Sequence, residues 1–145
     1  MNEGICLAKW GINGPEPIYH SETLPRETME SISPKILTLL LEGNPTLETA
    51  VDCVIPHFNE NVASWSIGYT IKDAVKGDDS RGSAVSVSFI VQDGKQSKLY
   101  NSVGPLRLRL RQILTQINDE YQLRTLPTSD LVKKLETIRQ GRIQA

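Results

Sequence analysis

The sequence has few residues of the kinds that bind metals or build catalytic sites. Its 145 residues include only two cysteines and two histidines. Cys6, Cys53, His20 and His57 could together supply four zinc ligands, but no pair of them has the close spacing of a zinc motif. We therefore expect no metal site and no cofactor, and we interpret Cys6, which lies in an apolar strand-like run, as a buried and inert thiol.

The sequence also lacks the features of several broad classes of protein. No run approaches about 18 consecutive apolar residues, and the N-terminal MNEGICLAKW has no basic region before an apolar stretch. Sixteen Lys and Arg against 17 Asp and Glu give a net charge of −1, which argues against nucleic acid as a partner. We expect a cytoplasmic protein with no membrane span, either free or peripheral at a membrane surface.

Motifs of self-contained enzymes are missing as well. The sequence contains no GxxxxGK[ST], no GxGxxG and no GxSxG. Asp78 and Asp79 are adjacent, and two neighbouring loop carboxylates make a poor acid–base pair because proton transfer needs a placed partner in a cleft. We recognise no complete active site, so the sequence leaves open whether the protein takes part in catalysis.

Hydrophobic periodicity predicts strands, helices and their order. Ser33 and Pro34 suit the start of one helix, and Pro105 suits the start of another. Ser86 and Ser88 are predicted to face away from the alternating valines of their strand. Hairpins give antiparallel sheets that helices must cover, so this order predicts an α+β sandwich of two or three layers. The predicted strands are 4–11, 16–22, 62–72 and 83–92, the predicted helices are 34–43, 105–121 and 129–140, and 47–58 is ambiguous. An additional helical turn around 28–32, before the first of these helices, is left open.

Two stretches resemble a known family. ICLAKWGINGPEPIY resembles the opening of longin and roadblock-like domains, and WSIGYTIKDAVKGDDSRGSAVSVSFIVQDGKQSKLYNSVGPLRLRLRQIL is similar to the longin domains of folliculin and of nitrogen-permease-regulator-like subunits. The resemblance covers about residues 3–122 and is strongest from Trp65 to Leu114. It implies an α+β fold, a longin-like antiparallel five-stranded sheet with a helix between strands 2 and 3 and C-terminal helices in an α/β/α sandwich. Residues 1–122 would form this domain, and residues 123–145 a C-terminal amphipathic helix extension.

The resemblance also implies a function. In those families an arginine at the same strand–loop–strand junction acts as an arginine finger on a Rag-type small GTPase, and the matching residue here is Arg81. A guanidinium supplied by a partner stabilises the charge that develops on the phosphoryl oxygens. We therefore expect a partner or regulator of a Ras-like (Rag/Arf-type) small GTPase. The residues expected to bind the partner are Lys72, Asp73, Asp78, Asp79 and Gly82.

Other interpretations of the same residues stay open. Arg81 could be an ordinary turn residue, and the protein would then be a non-catalytic adaptor or scaffold subunit of a membrane-trafficking or signalling complex. A SNARE-like regulatory domain is a weaker alternative, because no coiled-coil heptads follow residue 122. Longin and roadblock-like domains commonly pair, so the resemblance implies a homodimer or a heterodimer with another such domain.

Two further groups of residues have alternative roles. Trp10 and Trp65 both fall in predicted strands, where they either pack or anchor an interface. Arg107, Arg109 and Arg111 form the most basic patch of the sequence. Spaced by two on a helix, they spread over a wide face, which is either solvated or in contact with an anionic membrane surface or an acidic partner.

Overall fold

The computed structural model describes residues 3–11, 14–42, 45–46, 48–71, 83–115 and 129–142. Five strands and three helices are present in this part of the chain, together with a short 3-10 turn after the third strand. Their bounds are β1 Gly4–Gly11, β2 Gly14–His20, α1 Arg26–Leu40, β3 Val51–His57, the 3-10 turn Phe58–Glu60, β4 Val62–Ile71, β5 Ser83–Gln92, α2 Gln96–Leu114 and α3 Ser129–Arg142.

The strands form one antiparallel sheet in the order β2-β1-β5-β4-β3. The β4–β5 ladder is the longest and runs from Val62 opposite Gln92 to Ile71 opposite Ser83. The predicted α+β fold with a five-stranded antiparallel sheet and a helix between strands 2 and 3 is confirmed. The ambiguous segment 47–58 contains β3, which lies at the edge of the sheet.

One face of the sheet is covered by α2 and α3. Its strands contribute large apolar side chains to a single core cluster, and Trp65, Tyr69 and Phe89 are its largest fully buried members. Leu135 and Ile138 of α3 are buried in the same cluster. The last helix therefore packs on the sheet, as the period-3.6 pattern of its apolar residues requires.

The opposite face is covered by α1, and the residues beneath this helix are small. Across the strands β1, β5, β4 and β3, the residues Cys6, Ser88, Ser66 and Cys53 form one cross-strand row. In the next row, a Cβ on Gly68 would lie 2.8 Å from the Cβ of Leu40 in α1. The small side chains thus let α1 approach the sheet closely. Ser86 and Ser88 do face away from the valines, as predicted, but they are buried rather than solvated.

The first helix begins earlier than its proline suggested. We expected the helix to start at Pro34, with an earlier helical turn around Thr28 to Ile32 left open, and α1 begins at Arg26 and contains Pro34 in its interior. Pro34 has no N–H for the carbonyl of Glu30, which lies on the exposed side of the helix where water can bond to it. Ser33 Oγ donates to the carbonyl of Met29 at 2.6 Å, one residue earlier. The burial of Met29 and Ile32 outweighs the local cost of the proline.

The second helix differs from the prediction in the same way. It starts at Gln96 rather than at Pro105, and Pro105 lies inside it. The carbonyl that loses its helical partner belongs to the exposed Asn101. Leu99 and Ser102 continue the buried stripe of Leu106 and Leu110 toward the N-terminus, so the apolar face begins before the proline. Within the described part of the chain, no helix is long and apolar enough to cross a membrane.

Candidate functional site

A groove of about 770 Å³ runs between α1 and the end of the edge strand β3. The helix forms one wall, and the end of β3 with the first residues of the 3-10 turn forms the other. Because β3 is the outermost strand, the groove opens at the edge of the sheet. The helix wall consists of Pro34, Lys35, Thr38, Leu39 and Glu42, and the strand wall of Ile55, Pro56, His57, Phe58 and Asn59.

Two large apolar side chains of this groove are exposed. Leu39 is 57% and Phe58 71% exposed, one on each wall. Leu39 lies on α1 but off the helix face that packs on the sheet. Phe58 starts the 3-10 turn, and Asn61, which follows the turn, has a left-handed backbone (φ 60°) that redirects the chain into β4. Apolar groups that face each other across an open groove are typical of a binding surface.

The groove ends at a charged cluster that joins α1 to the 3-10 turn. Lys35 Nζ forms an ion pair with Glu60 Oε1, and Ser31 Oγ donates to the same oxygen at 3.1 Å. The hydrogen bond from Lys35 is the main reason that the pKa of Glu60 lies below its usual value, although burial of the carboxylate opposes this shift. The side chain of Glu60 is only 7% exposed, so its charge is compensated mainly by Lys35.

His57, in the strand wall of the groove, is buried. Its side chain is 3% exposed, and its Nε2 lies 2.9 Å from Ser64 Oγ on β4. Burial lowers the pKa of His57 below its ordinary value, and Lys35 adds to this shift while Glu60 opposes it. At neutral pH the imidazole is therefore uncharged, and the groove presents no free cation at this point.

The residues predicted to bind a GTPase lie outside the described residues. These are Lys72, Asp73, Asp78, Asp79, Arg81 and Gly82. The structure does describe the two ends of this connection. Ile71 and Ser83 are opposite each other at the last rung of the β4–β5 ladder. The expected arginine finger therefore stays a prediction.

The predicted basic patch lies on α2, and two of its members turn toward β3. Arg107 donates from Nε and Nη2 to the two carboxylate oxygens of Asp52, both at 2.7 Å, and Trp65 Nε1 donates to Asp52 Oδ2 at 2.9 Å. Burial raises the pKa of Asp52, but the hydrogen bonds from Arg107 and Trp65 outweigh this effect and lower it overall. Arg111 donates to the carbonyl of Ala50 at 2.9 Å. These contacts fasten α2 to the edge strand.

The remaining candidates fall into two groups. Trp65 is fully buried whereas Trp10 is 49% exposed, so the two tryptophans differ in environment. Cys6 is buried, and desolvation raises the pKa of its thiol to about 12. Cys53 lies in the same row of the sheet but three strand spacings away, roughly 14 Å, too far to share an ion with Cys6. No cluster of metal-binding residues occurs among the described residues.

Sequence reasoning missed the groove. Leu39 and Phe58 were not singled out, because a single apolar residue on the outer side of a helix or just after a strand is common. The available signal was that Leu39 does not fit the helical stripe of Ile36, Leu37 and Leu40. That these two residues line the same groove follows only from the packing of α1 against the sheet.

Comparison with known proteins bears on the fold. No protein-family profile and no curated protein matches the sequence. Among solved structures, the K. lactis Lst4 longin domain matches with a TM-score of 0.60 and 10% identity, over 98% of this chain and 94% of that chain. The protein has a longin-like fold. At this identity the likeness concerns the fold alone, and pairing with another longin or roadblock domain, or contact with a membrane surface, stays a prediction.

Proposed function

We propose that this longin-like domain is a protein-binding module that holds a segment of a partner protein in the groove between α1 and β3. The observation that carries the proposal is the pair of exposed apolar side chains, Leu39 and Phe58, on the two walls of the groove. A regulatory or adaptor role accords with the fold, since the structural neighbour is itself named as a longin domain. Binding alone is sufficient for this function.

The edge strand favours an extended segment as the occupant. Strand β3 has a paired neighbour, β4, on one side only among the described residues, so its other side offers backbone groups to an added strand. Successive side chains of an added strand alternate between the two faces of the sheet. Those on the α1 side would contact Leu39 and Phe58. We therefore expect apolar residues at every second position of the bound segment.

Charge in the groove favours a basic residue in the same segment. Lys35 is paired with Glu60, so its charge is compensated within the domain. Glu42, just beyond the C-terminal end of α1, is exposed and has no ion pair within the described part of the chain. A lysine or arginine near one end of the bound segment would complement Glu42. The expected partner is thus an extended peptide with alternating apolar residues and one basic residue.

Selection from a displayed library of random peptides tests this proposal. Peptides selected on the wild-type protein would be measured against Leu39→Asp, with Tyr100→Asp as the matched control. Tyr100 is 64% exposed but lies on α2, on the opposite face of the sheet. We expect Leu39→Asp to weaken binding at least about tenfold, or 1.4 kcal/mol, and Tyr100→Asp to leave it unchanged.

Nuclear magnetic resonance locates the bound peptide independently of the variants. The amide signals of Leu39, Ile55 and Phe58 should shift most on titration. Glu42→Lys should weaken peptides that carry the basic residue more than peptides that lack it. Enriched peptides that shift signals on α2 instead, or that bind Leu39→Asp normally, would show that the groove is not the binding site.

A second candidate function is stimulation of a small GTPase through Arg81, as in folliculin-like longin domains. The supporting observation is that β4 and β5 remain paired up to Ile71 and Ser83, so a ten-residue strand precedes the connection and another follows it. An arginine that acts in trans has to be presented by a rigid framework, and two paired strands supply one. Here the partner would be a Rag- or Arf-type GTPase.

Single-turnover GTP hydrolysis tests this second candidate. Each small GTPase of the source genome would be measured alone, with the wild-type protein, with Arg81→Ala and with the control Arg109→Ala, which removes an exposed guanidinium on α2. A catalytic finger predicts at least about a hundredfold acceleration that Arg81→Ala alone abolishes. Equal rates with wild type and Arg81→Ala would leave the protein as an adaptor.

A further inference from the structure

A chain of hydroxyl groups is buried beneath α1 and ends at the groove. His57 Nε2 lies 2.9 Å from Ser64 Oγ, Ser66 Oγ donates to Ser64 Oγ at 3.0 Å, and the hydroxyls of Ser66 and Ser88 are 2.7 Å apart. All four side chains are at most 3% exposed. These hydrogen-bonded side chains therefore form no hydrogen bonds with bulk water, and their donors have to find acceptors inside the protein.

The direction of the Ser66–Ser64 bond sets the directions that the other two hydrogen bonds have to take. A hydroxyl has one proton. Ser66 donates its proton to Ser64, so Ser88 is the donor to Ser66. Ser64 accepts from Ser66 and keeps its own proton for His57 Nε2. If Nε2 carried a proton instead, the hydroxyl proton of the fully buried Ser64 would have no acceptor among the residues that the structure describes, which is costly. Neutral His57 therefore accepts at Nε2 and carries its proton on Nδ1.

Charged groups from two other elements face His57. Lys35 of α1 opposes a positive imidazole, and Glu60 of the 3-10 turn favours one. Glu60 uses Oε1 for Lys35 and Ser31, while its Oε2 is buried without a hydrogen-bond partner in the described structure. Glu60 thus holds an unused acceptor near an imidazole that is neutral. The ion pair of Lys35 with Glu60 also connects the helix wall of the groove to the strand wall.

We propose that His57 is a proton-controlled latch of the groove, neutral and joined to the serine chain when the groove is formed, and released from that chain when acid protonates it. The consequence for binding rests on the proposed function of the groove. The partner class that the latch regulates is the extended peptide described above. The next residue, Phe58, is the exposed apolar anchor of the strand wall.

The protonation step has a defined cost. A proton from solvent adds to Nε2, and both ring nitrogens are then donors. Ser64 Oγ now accepts from Nε2 and can no longer donate to it. Its own proton then points toward the proton that Ser66 donates, so the hydrogen bond between the two hydroxyls is disrupted. Each hydroxyl bond would have to reverse as far as Ser88, whose proton then has no described acceptor. The imidazolium would meanwhile compete with Lys35 for Glu60. Protonation therefore weakens two contacts at the strand wall of the groove, the His57–Ser64 hydrogen bond and the Lys35–Glu60 ion pair.

The sign of the pH dependence follows from the same arrangement. A histidine that is kept neutral by the fold binds fewer protons in the folded state than in the unfolded state below its ordinary pKa of 6.5. Stability is therefore full above about pH 6.5 and is lost as the pH falls toward the lower pKa of the folded state. Peptide affinity for the groove should fall over the same range.

The first test is the nitrogen-15 spectrum of the histidine rings in the full chain between about pH 8 and about pH 5, where unperturbed histidines titrate. We expect the neutral His57 ring to carry its proton on Nδ1 and to titrate with a midpoint below 6.5. Ser64→Ala removes the donor to Nε2 and should shift the ring toward the other tautomer. A neutral ring protonated on Nε2 in the wild-type protein would overturn the proposal.

The second test uses His57→Gln, with His20→Gln as its control, since each variant removes one titratable imidazole. The fall in melting temperature below about pH 6.5 should persist in His20→Gln and be largely lost in His57→Gln. An unchanged pH dependence in His57→Gln would contradict the latch. If His57→Gln does not fold, the tautomer in the wild type and in Ser64→Ala still decides.

Peptide binding separates this inference from the proposed function. Groove-binding peptides should lose at least about fivefold in affinity between about pH 7.5 and about pH 5.5, the lower limit of typical coupling. Equal affinity at both values would show that His57 does not control the groove. If no peptide binds the groove while the tautomer and stability results hold, the proposed function fails and the proton sensitivity of His57 stands.

Discussion

The sheet face under α2 and α3 carries large apolar side chains, whereas the face under α1 carries small residues and hydroxyls. On the first face, Trp65 and Phe89 pack with ring centroids 5.8 Å apart. On the second, Ser66 and Ser88 share a hydrogen bond beneath a helix that approaches to van der Waals contact at Gly68. Burial of apolar area is the main source of stability on the face under α2 and α3. On the face under α1, stability comes from close approach of the backbone and from satisfied polar groups.

This difference also explains where the groove lies. Helix α1 packs on the central strands, and the α1-facing residues of the edge strand, Cys53 and Ile55, are only partly buried. On the other face α2 reaches the same edge strand, because Arg107 and Arg111 fasten it to Asp52 and Ala50. The edge of the α1 face is therefore left open, and a partner can occupy the space that the helix does not fill.

Removal of bulk from the apolar face should have the largest effect on stability. Trp65→Ala deletes a fully buried side chain and leaves Asp52 with one donor fewer, so we expect a loss of about 3–5 kcal/mol in the free energy of unfolding. Urea denaturation followed by circular dichroism measures it. Trp10→Ala is the control, because Trp10 is half-exposed. Equal losses in both variants would contradict the assignment of the core to this face.

Added bulk on the α1 face should be the next largest effect. The new Cβ of Gly68→Ala would lie 2.8 Å from Leu40 Cβ, so α1 would have to move, and we expect a loss of roughly 1–3 kcal/mol. The control is Gly104→Ala in α2, where no atom lies within 4 Å of the added Cβ. That variant should be neutral or more stable by up to about 1 kcal/mol. Thermal denaturation of the two proteins side by side decides between close approach and loose packing.

The polar connection between α2 and β3 should contribute less than the apolar core and about as much as the close packing at Gly68, and in a pH-dependent way. Asp52→Asn removes the charge that accepts from Arg107 and Trp65, so we expect a loss of roughly 1.5–3 kcal/mol at neutral pH. The folded-state pKa of Asp52 lies below its ordinary value of 3.8. The contribution is thus present above that value and is lost as the pH falls below it.

Denaturation of wild type and Asp52→Asn at several pH values measures this contribution. The two curves of unfolding free energy against pH should lie apart at neutral pH and approach each other in acid. Parallel curves would mean that the charge of Asp52 has no part in fastening α2 to the edge strand.

The apolar face could be predicted from the sequence, whereas most of the α1 face could not. Alternating Val85 to Val91 and the 3.6-residue stripe of α2 indicate burial directly. The alternation also assigns Ser86 and Ser88 to the opposite face, but it does not indicate their burial, because hydroxyl residues are mostly exposed. Only the packing of α1 shows that both are buried and that Ser88 shares a hydrogen bond with Ser66. The predicted starts of two helices are wrong, because proline is typical of a first helical position whereas Pro34 and Pro105 lie inside their helices. Each leaves a carbonyl without its helical partner on an exposed side, where the cost is small. The groove depends on residues from distant parts of the chain, which no local pattern brings together.

The smallest expected effect is on the outer surface of α1, away from both buried faces. Arg26 and Glu30 form an exposed ion pair at 2.9 Å, one turn apart, with side chains 61% and 54% exposed. Arg26→Gln should therefore change the free energy of unfolding by at most about 0.5 kcal/mol, and less at high salt, because water and ions screen such pairs. Lys35→Gln is the informative contrast, since it leaves the mostly buried carboxylate of Glu60 without its cation. A larger loss for Lys35→Gln than for Arg26→Gln, measured by urea denaturation at low and high salt, would show that α1 is held at the groove rather than along its solvent face.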